Sequence, residues 1–85
     1  MLRKKIQVTV PGGIHMAIAV SLGQVVRESE AHVFLKAGKK MISAREVQKI
    51  LSLGVHQLDW IELIVDGEEE EEPVAERIRK LLCNE

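Results

Sequence analysis

Paired cysteines, tyrosine, long apolar runs and a sizeable net charge are all missing from this 85-residue chain. Cys83 is the sole cysteine, which excludes an intrachain disulfide and a cysteine-based zinc site. Phe34 and Trp60 are the only aromatic residues, too few to build a stacking platform for bases. No apolar run is long enough to span a bilayer, so membrane insertion is not expected. A net charge of −1 gives no general attraction to nucleic acid or to an anionic membrane. The basic start, Met1 to Lys5, leads into no long apolar stretch, which argues against a signal peptide. Neither a serine-nucleophile motif nor a nucleotide-type glycine loop occurs. The simplest expectation is one cytoplasmic domain over residues 1–85, half apolar and rich in mixed charge.

What is present is a regular alternation of patterns. Ile6, Val8 and Val10 alternate with Gln7 and Thr9, which predicts a strand over residues 6–10 ended by Pro11-Gly12-Gly13. Ile18, Leu22, Val25 and Val26 recur at helical spacing over residues 16–28, supported by Ala17, Ala19 and Val20. Gly23 within that helix is expected to serve close packing against a sheet. Residues 31–36 read as a strand, Ala37-Gly38-Lys39-Lys40 as a turn, and residues 40–42 as its hairpin partner. Ser43-Ala44-Arg45-Glu46 has the spacing of a capping box for a short helix carrying Val47, Ile50 and Leu51. Gly54 suits the left-handed terminator of that helix.

Residues 60–65 form the last strand, with Ile61, Leu63 and Val65 on one face and Trp60, Glu62 and Ile64 on the other. After Asp66-Gly67 the acidic run Glu68 to Glu72 opens a final helix, where the helix dipole offsets part of the charge repulsion. Pro73 fits only within its first turn, and Val74, Ile78, Leu81 and Leu82 follow at helical spacing. The order β-α-β-β-α-β-α predicts an α+β fold with helices on one face of a mainly antiparallel sheet.

The chemistry concentrates at Gly12-Gly13-Ile14-His15, where a strand stops and a helix begins. The first amides of a helix are unpaired and lie at the positive end of its dipole, which suits phosphate. An imidazole there can bind or carry a phosphoryl group, or sit as an ordinary residue near the cap. His32 and His56 stand in other elements without metal-ligand spacing, so no metal and no cofactor are expected. The acidic run lacks the alternation of a calcium loop and reads as a solvated helix start. Cys83 is expected to be an incidental thiol at a fraying end.

Gly13-Ile14-His15, Gly38-Lys39-Lys40, Ser52-Leu53-Gly54-Val55 and Asp66-Gly67-Glu68, in this order and spacing, resemble HPr, the histidine-containing phosphocarrier of the bacterial sugar phosphotransferase system. The resemblance spans nearly the whole chain. It implies an open-faced β-sandwich, with three helices on one face of a four-stranded sheet. It also implies that His15 corresponds to the histidine that takes phosphate from the first enzyme of the system and passes it to sugar-specific subunits. The family pattern places an arginine and a proline where this chain has Ala17 and Ile18. The backbone N–H groups of Met16, Ala17 and Ile18 remain as phosphate ligands.

The regulatory serine of Gram-positive members corresponds to Glu46, either a fixed mimic of the phosphorylated state or a cap paired with Ser43. The docking surface corresponds to Gln24, Arg27, Val47, Gln48 and Leu51, with Met16, Val47 and Leu51 as its candidate apolar patch. The implied partners are proteins of the phosphotransferase system or a carbon-regulating transcription factor. A divergent regulatory module impaired at His15 ranks first, a working phosphocarrier second, and a small-anion binder at the same helix end third. A monomer is expected, although an open sheet has edge strands that permit dimerisation.

Overall fold

A computed structural model describes all of residues 1–85. Its elements are β1 (Leu2–Gln7), α1 (Met16–Glu28), β2 (His32–Ala37), β3 (Lys40–Ser43), α2 (Val47–Ser52), β4 (Trp60–Asp66) and α3 (Glu71–Leu82), with a 3-10 turn at Glu68–Glu70 before α3. The strands form one sheet in the order β1-β4-β2-β3, and every neighbouring pair is antiparallel. The helices cover one face and leave the other open, as the alternation predicts. Leu22 and Val26 of α1, Ile50 of α2 and Ile78 and Leu82 of α3 meet Val33, Leu35, Ile61, Leu63 and Val65 of the sheet in one apolar core. No polar or charged residue is buried.

The first strand lies earlier than the sequence predicts. Its ladder runs from Leu2 opposite Val65 to Gln7 opposite Trp60. Val8 and Val10 keep the inward direction and are buried, but their backbone leaves the ladder. The Val8 N–H donates to Asp59 O (2.8 Å), and the Thr9 and Val10 N–H groups both donate to Leu82 O (3.0 Å each). Alternation reports which way side chains face; it does not report what the backbone pairs with. The basic start belongs to the strand, and Lys4, on its core-facing side at the sheet edge, reaches Glu72 of α3 (3.7 Å).

Three further expectations change. Ser43 ends β3 opposite Phe34, and α2 begins only at Val47, so the capping box does not form. Gly23 is buried facing α2 rather than the sheet: a methyl there would lie 3.5 Å from Val47 Cγ2 and 2.8 Å from the Arg27 guanidinium. The end of α3 is not frayed, because Leu82 O holds two amides of the β1–α1 connection and the half-buried Cys83 thiol lies 3.7 Å from Gln7 O. Gly54 does adopt the left-handed conformation (φ +63°) just past α2. Pro73 falls in the first turn of α3.

Candidate functional site

The site is built by the turn that joins β1 to α1. Gly13 N–H closes the turn on Val10 O (2.9 Å), and Ile14 N–H reaches across to Val55 O (3.1 Å). The Ile14 side chain is buried, which anchors the residue next to His15 in the core. Gly13 adopts φ +68°, and a Cβ there would sit 2.6 Å from Val55 O, 2.7 Å from His56 C and 2.8 Å from Gln57 N. Only glycine fits both the conformation and that contact.

His15 is the N-cap residue of α1, extended at φ −87° and ψ −178°. It is exposed, and its imidazole makes no hydrogen bond within the protein. The ring lies over Gly12, where a methyl would come within 3.0 Å of Cδ2. His15 O accepts the first helical bond, from Ala19 N–H (2.8 Å). The N–H groups of Met16, Ala17 and Ile18 have no acceptor, and no acidic side chain occupies the first turn. Three free amides at the positive end of a 13-residue helix beside an unpaired imidazole are an arrangement with the donors and dipole that an anion requires.

The arrangement lacks a cation. Ala17 presents an exposed methyl, and Ile18 is half-buried against the core. No basic side chain makes a hydrogen bond or ion pair to residues 12–18; Arg27, on the same helix, donates to Arg45 O instead (3.0 Å). A phosphoryl group on His15 would therefore receive backbone donors only, without the forked, charged donor that an arginine supplies.

Of the residues that the resemblance assigns to docking, Arg27 and Val47 lie where α1 meets α2, whereas Gln24 lines the groove between α1 and α3 with Arg77 and Lys80. Arg27 bridges from α1 to Arg45 O, two residues before α2, and Val47 packs toward Gly23. Gln24 and Gln48 are exposed, while Val47 and Leu51 are half-buried against the core. The exposed apolar side chains on this side are instead Met16 (55%) and Val20 (44%), both on α1. Glu46 is the N-cap residue of α2 through its carbonyl, which accepts from Lys49 and Ile50 N–H (3.1 Å each). Its carboxylate makes no capping bond and pairs with Lys49 Nζ at 3.2 Å.

A residue set aside in the sequence reading belongs beside the site. His56 lies on the loop whose backbone rests on Gly13, and its N–H donates to Asp59 Oδ2 (2.8 Å). Leu58 follows with φ +78° and an exposed side chain, held by a 2.6 Å bond from its N–H to Val8 O and by Gln7 Nε2 on its carbonyl (3.1 Å). No residue type in this segment signals that bend, since leucine disfavours the left-handed region.

The family model described as the PTS HPr component phosphorylation site matches residues 2–84. The chain belongs to the HPr family. Among solved structures, it is similar to the phosphocarrier protein HPr from Bacillus anthracis, with 21% identity, 95% of each chain covered and a TM-score of 0.89. It is equally similar to an HPr from Thermoanaerobacter tengcongensis, with 23% identity, 100% of this chain and 98% of that one covered, and a TM-score of 0.89. A third similar structure is Crh, the Bacillus subtilis catabolite repression protein, in a swapped dimer, with 24% identity, 99% and 95% coverage, and a TM-score of 0.76. At these identities the structures establish the open-faced fold of HPr, and the family match over residues 2–84 establishes membership. No curated protein matches the chain.

Proposed function

We propose that this HPr-family chain is a regulatory or protein-interaction module whose phosphocarrier site at His15 is impaired. The observation that carries this reading is the pair Ala17 and Ile18, which leaves three backbone amides and no cation beside the imidazole. Phosphoryl transfer is driven by positioning and by charge placed against the transferred group. Loss of one preorganised donor of this kind costs roughly 2.7–4 kcal/mol, about a hundred- to a thousandfold in rate. Partners in this reading are cytoplasmic proteins of the phosphotransferase system or a transcription factor of carbon use. The similar Crh structure is of a catabolite repression protein, which fits the regulatory side. Glu46 supplies a permanent carboxylate where the family's regulatory serine lies, partly neutralised by Lys49.

A specific observation favours a second reading. The exposed His15 and the three unpaired amides retain the cradle of a working carrier, and the same cradle suits a free small anion. Incubation with phosphoenolpyruvate and the first enzyme of the system separates the readings. The expected result is acid-labile labelling of His15 at least a hundredfold slower than in an HPr with the full motif, and none in His15→Ala. Ala17→Arg with Ile18→Pro should accelerate labelling. The Ile18 amide has no acceptor, so proline at this first-turn position removes no hydrogen bond. Wild-type labelling at the full rate overturns the impairment. An unmoved His15 signal in millimolar phosphate by NMR removes the anion-binding reading. Weaker binding of Glu46→Ser to a carbon-regulating transcription factor is the expected mark of the regulatory role.

A further inference from the structure

The open face of the sheet carries the largest surface depression of the protein, about 520 Å³, lined by Lys5, Lys36, Gly38, Trp60, Ile61 and Glu62. It lies on the side of the sheet opposite the helices, at strand positions that share the face of Glu62. Two observations define its chemistry. The first is the indole of Trp60, one of only two aromatic side chains, which is 62% exposed at the first position of β4. The β2–β4 register carried past Lys36 opposite Glu62 brings the side-chain-free Gly38 alongside Trp60. A methyl at Gly38 would touch nothing within 4 Å, so that side of the depression is open.

The second observation is unpaired charge. Lys5 and Lys36 are the direct cross-strand partners of Glu62, one on each side of it. Glu62 nevertheless pairs with Arg3 (3.5 Å), and neither lysine makes an ion pair or a hydrogen bond. Both side chains are exposed and point to the open face, since Ile6 and Leu35 beside them point inward. Their Cα atoms, two strand spacings apart, are separated by about 9.5 Å, within the combined reach of two lysines closing on one anion. The depression beside Trp60 therefore holds two unpaired cations, Lys5 and Lys36, and one carboxylate, Glu62, which Arg3 from outside it already meets, next to an exposed indole.

We propose that this depression binds a phosphorylated ring compound, with the ring stacked on Trp60 and the phosphate held between the Lys5 and Lys36 ammonium groups. A ring face stacks on indole whether it is a nucleobase or the C–H face of a sugar, and a phosphomonoester accepts charge-assisted hydrogen bonds from both lysines. A mononucleotide and a hexose phosphate share this chemistry. The occupant differs from a phosphoryl group on His15 in being non-covalent and in meeting cations.

Trp60 is the only tryptophan, so its fluorescence and its indole N–H resonance report on the depression directly. The probes are adenosine monophosphate and glucose 6-phosphate, each against its unphosphorylated parent, with inorganic phosphate as a third control. The expected result is a saturable indole shift with at least one phosphorylated probe in the millimolar range or below, and a much weaker response to adenosine, glucose or phosphate alone. The probe that binds tighter identifies the source. Lys5→Gln and Lys36→Gln should each weaken binding about tenfold or more, and Trp60→Ala, followed by NMR of neighbouring amides, about 5- to 150-fold. Binding should persist in His15→Ala. These side chains are exposed, and an unchanged melting temperature confirms that the variants fold. No saturable shift with either phosphorylated probe at 10 mM (about ten times the expected scale) overturns the proposal. So does an equal response to the unphosphorylated parents, or an indole shift that follows protein concentration rather than ligand.

Discussion

Replacing Gly13 by alanine should be among the most damaging single-methyl changes in this protein. The added Cβ would meet Val55 O at 2.6 Å, His56 C at 2.7 Å and Gln57 N at 2.8 Å, all backbone atoms that no rotamer change can move. The backbone at φ +68° adds a conformational cost of roughly 1–2 kcal/mol for any residue with a Cβ. Forcing the loop away adds roughly 1–3 kcal/mol more. Gly54→Ala is the internal control: at φ +63° it bears the same backbone cost, but its methyl would touch nothing within 4 Å. A loss near the middle of the Gly13 range, about 3.5 kcal/mol, corresponds to a drop in Tm of about 14–28 °C in a domain of this size. Gly54→Ala should lose about 4–16 °C. Urea unfolding with a fixed slope gives the same comparison as a shift in midpoint. Equal losses for the two variants would refute the close approach of residues 55–57 to the His15 turn.

Other perturbations follow from the same geometry. Leu58→Gly should stabilise the protein by about 0.5 kcal/mol, because relief of the left-handed leucine outweighs the extra freedom of glycine in the unfolded chain; an unchanged or lower Tm would count against strain at φ +78°. Leu22→Ala, which empties a fully buried site between α1 and the sheet, should cost roughly 2–5 kcal/mol in urea unfolding. Arg79 hydrogen-bonds Glu76 (2.7 Å) and Glu85 (2.9 Å) and holds both carboxyls below their ordinary value of 4.5. A lowered native pKa means that the stabilisation is complete above the ordinary value and disappears as pH falls through the native one. The urea midpoint should therefore fall on acidification below about pH 4.5, and Arg79→Gln should flatten that slope.

Much of the fold was legible because burial imposes a period. The inward residues Val33 and Leu35, Ile61, Leu63 and Val65, and Leu22, Val25 and Val26 are each spaced as their element requires. Where backbone partners rather than side chains decide, the sequence was a poorer guide. Val8 and Val10 alternate like a strand, yet their amides bond outside the ladder. Ser43 and Glu46 have capping-box spacing, yet the ladder to Phe34 claims Ser43 and delays the helix to Val47. At the candidate site, His15 stood out because glycines and a helical run surround it. His56 did not, since it reaches the site only through a tertiary contact with Gly13. The depression at Trp60 was equally hidden: its residues come from separate strands, and only the register places Lys5 and Lys36 on either side of Glu62.

The carbonyl of Leu82 holds the amides of Thr9 and Val10, which lie beyond the sheet ladder and shortly before Gly12. In hydrogen exchange those two amides would therefore report the docking of α3, while their neighbours in β1 report the sheet. A helix that undocks would free both at once and slacken the segment leading to His15. The last turn of α3 is thus a mechanical stay for a loop more than seventy positions away in sequence, tied to it by the same residue whose side chain fills the core.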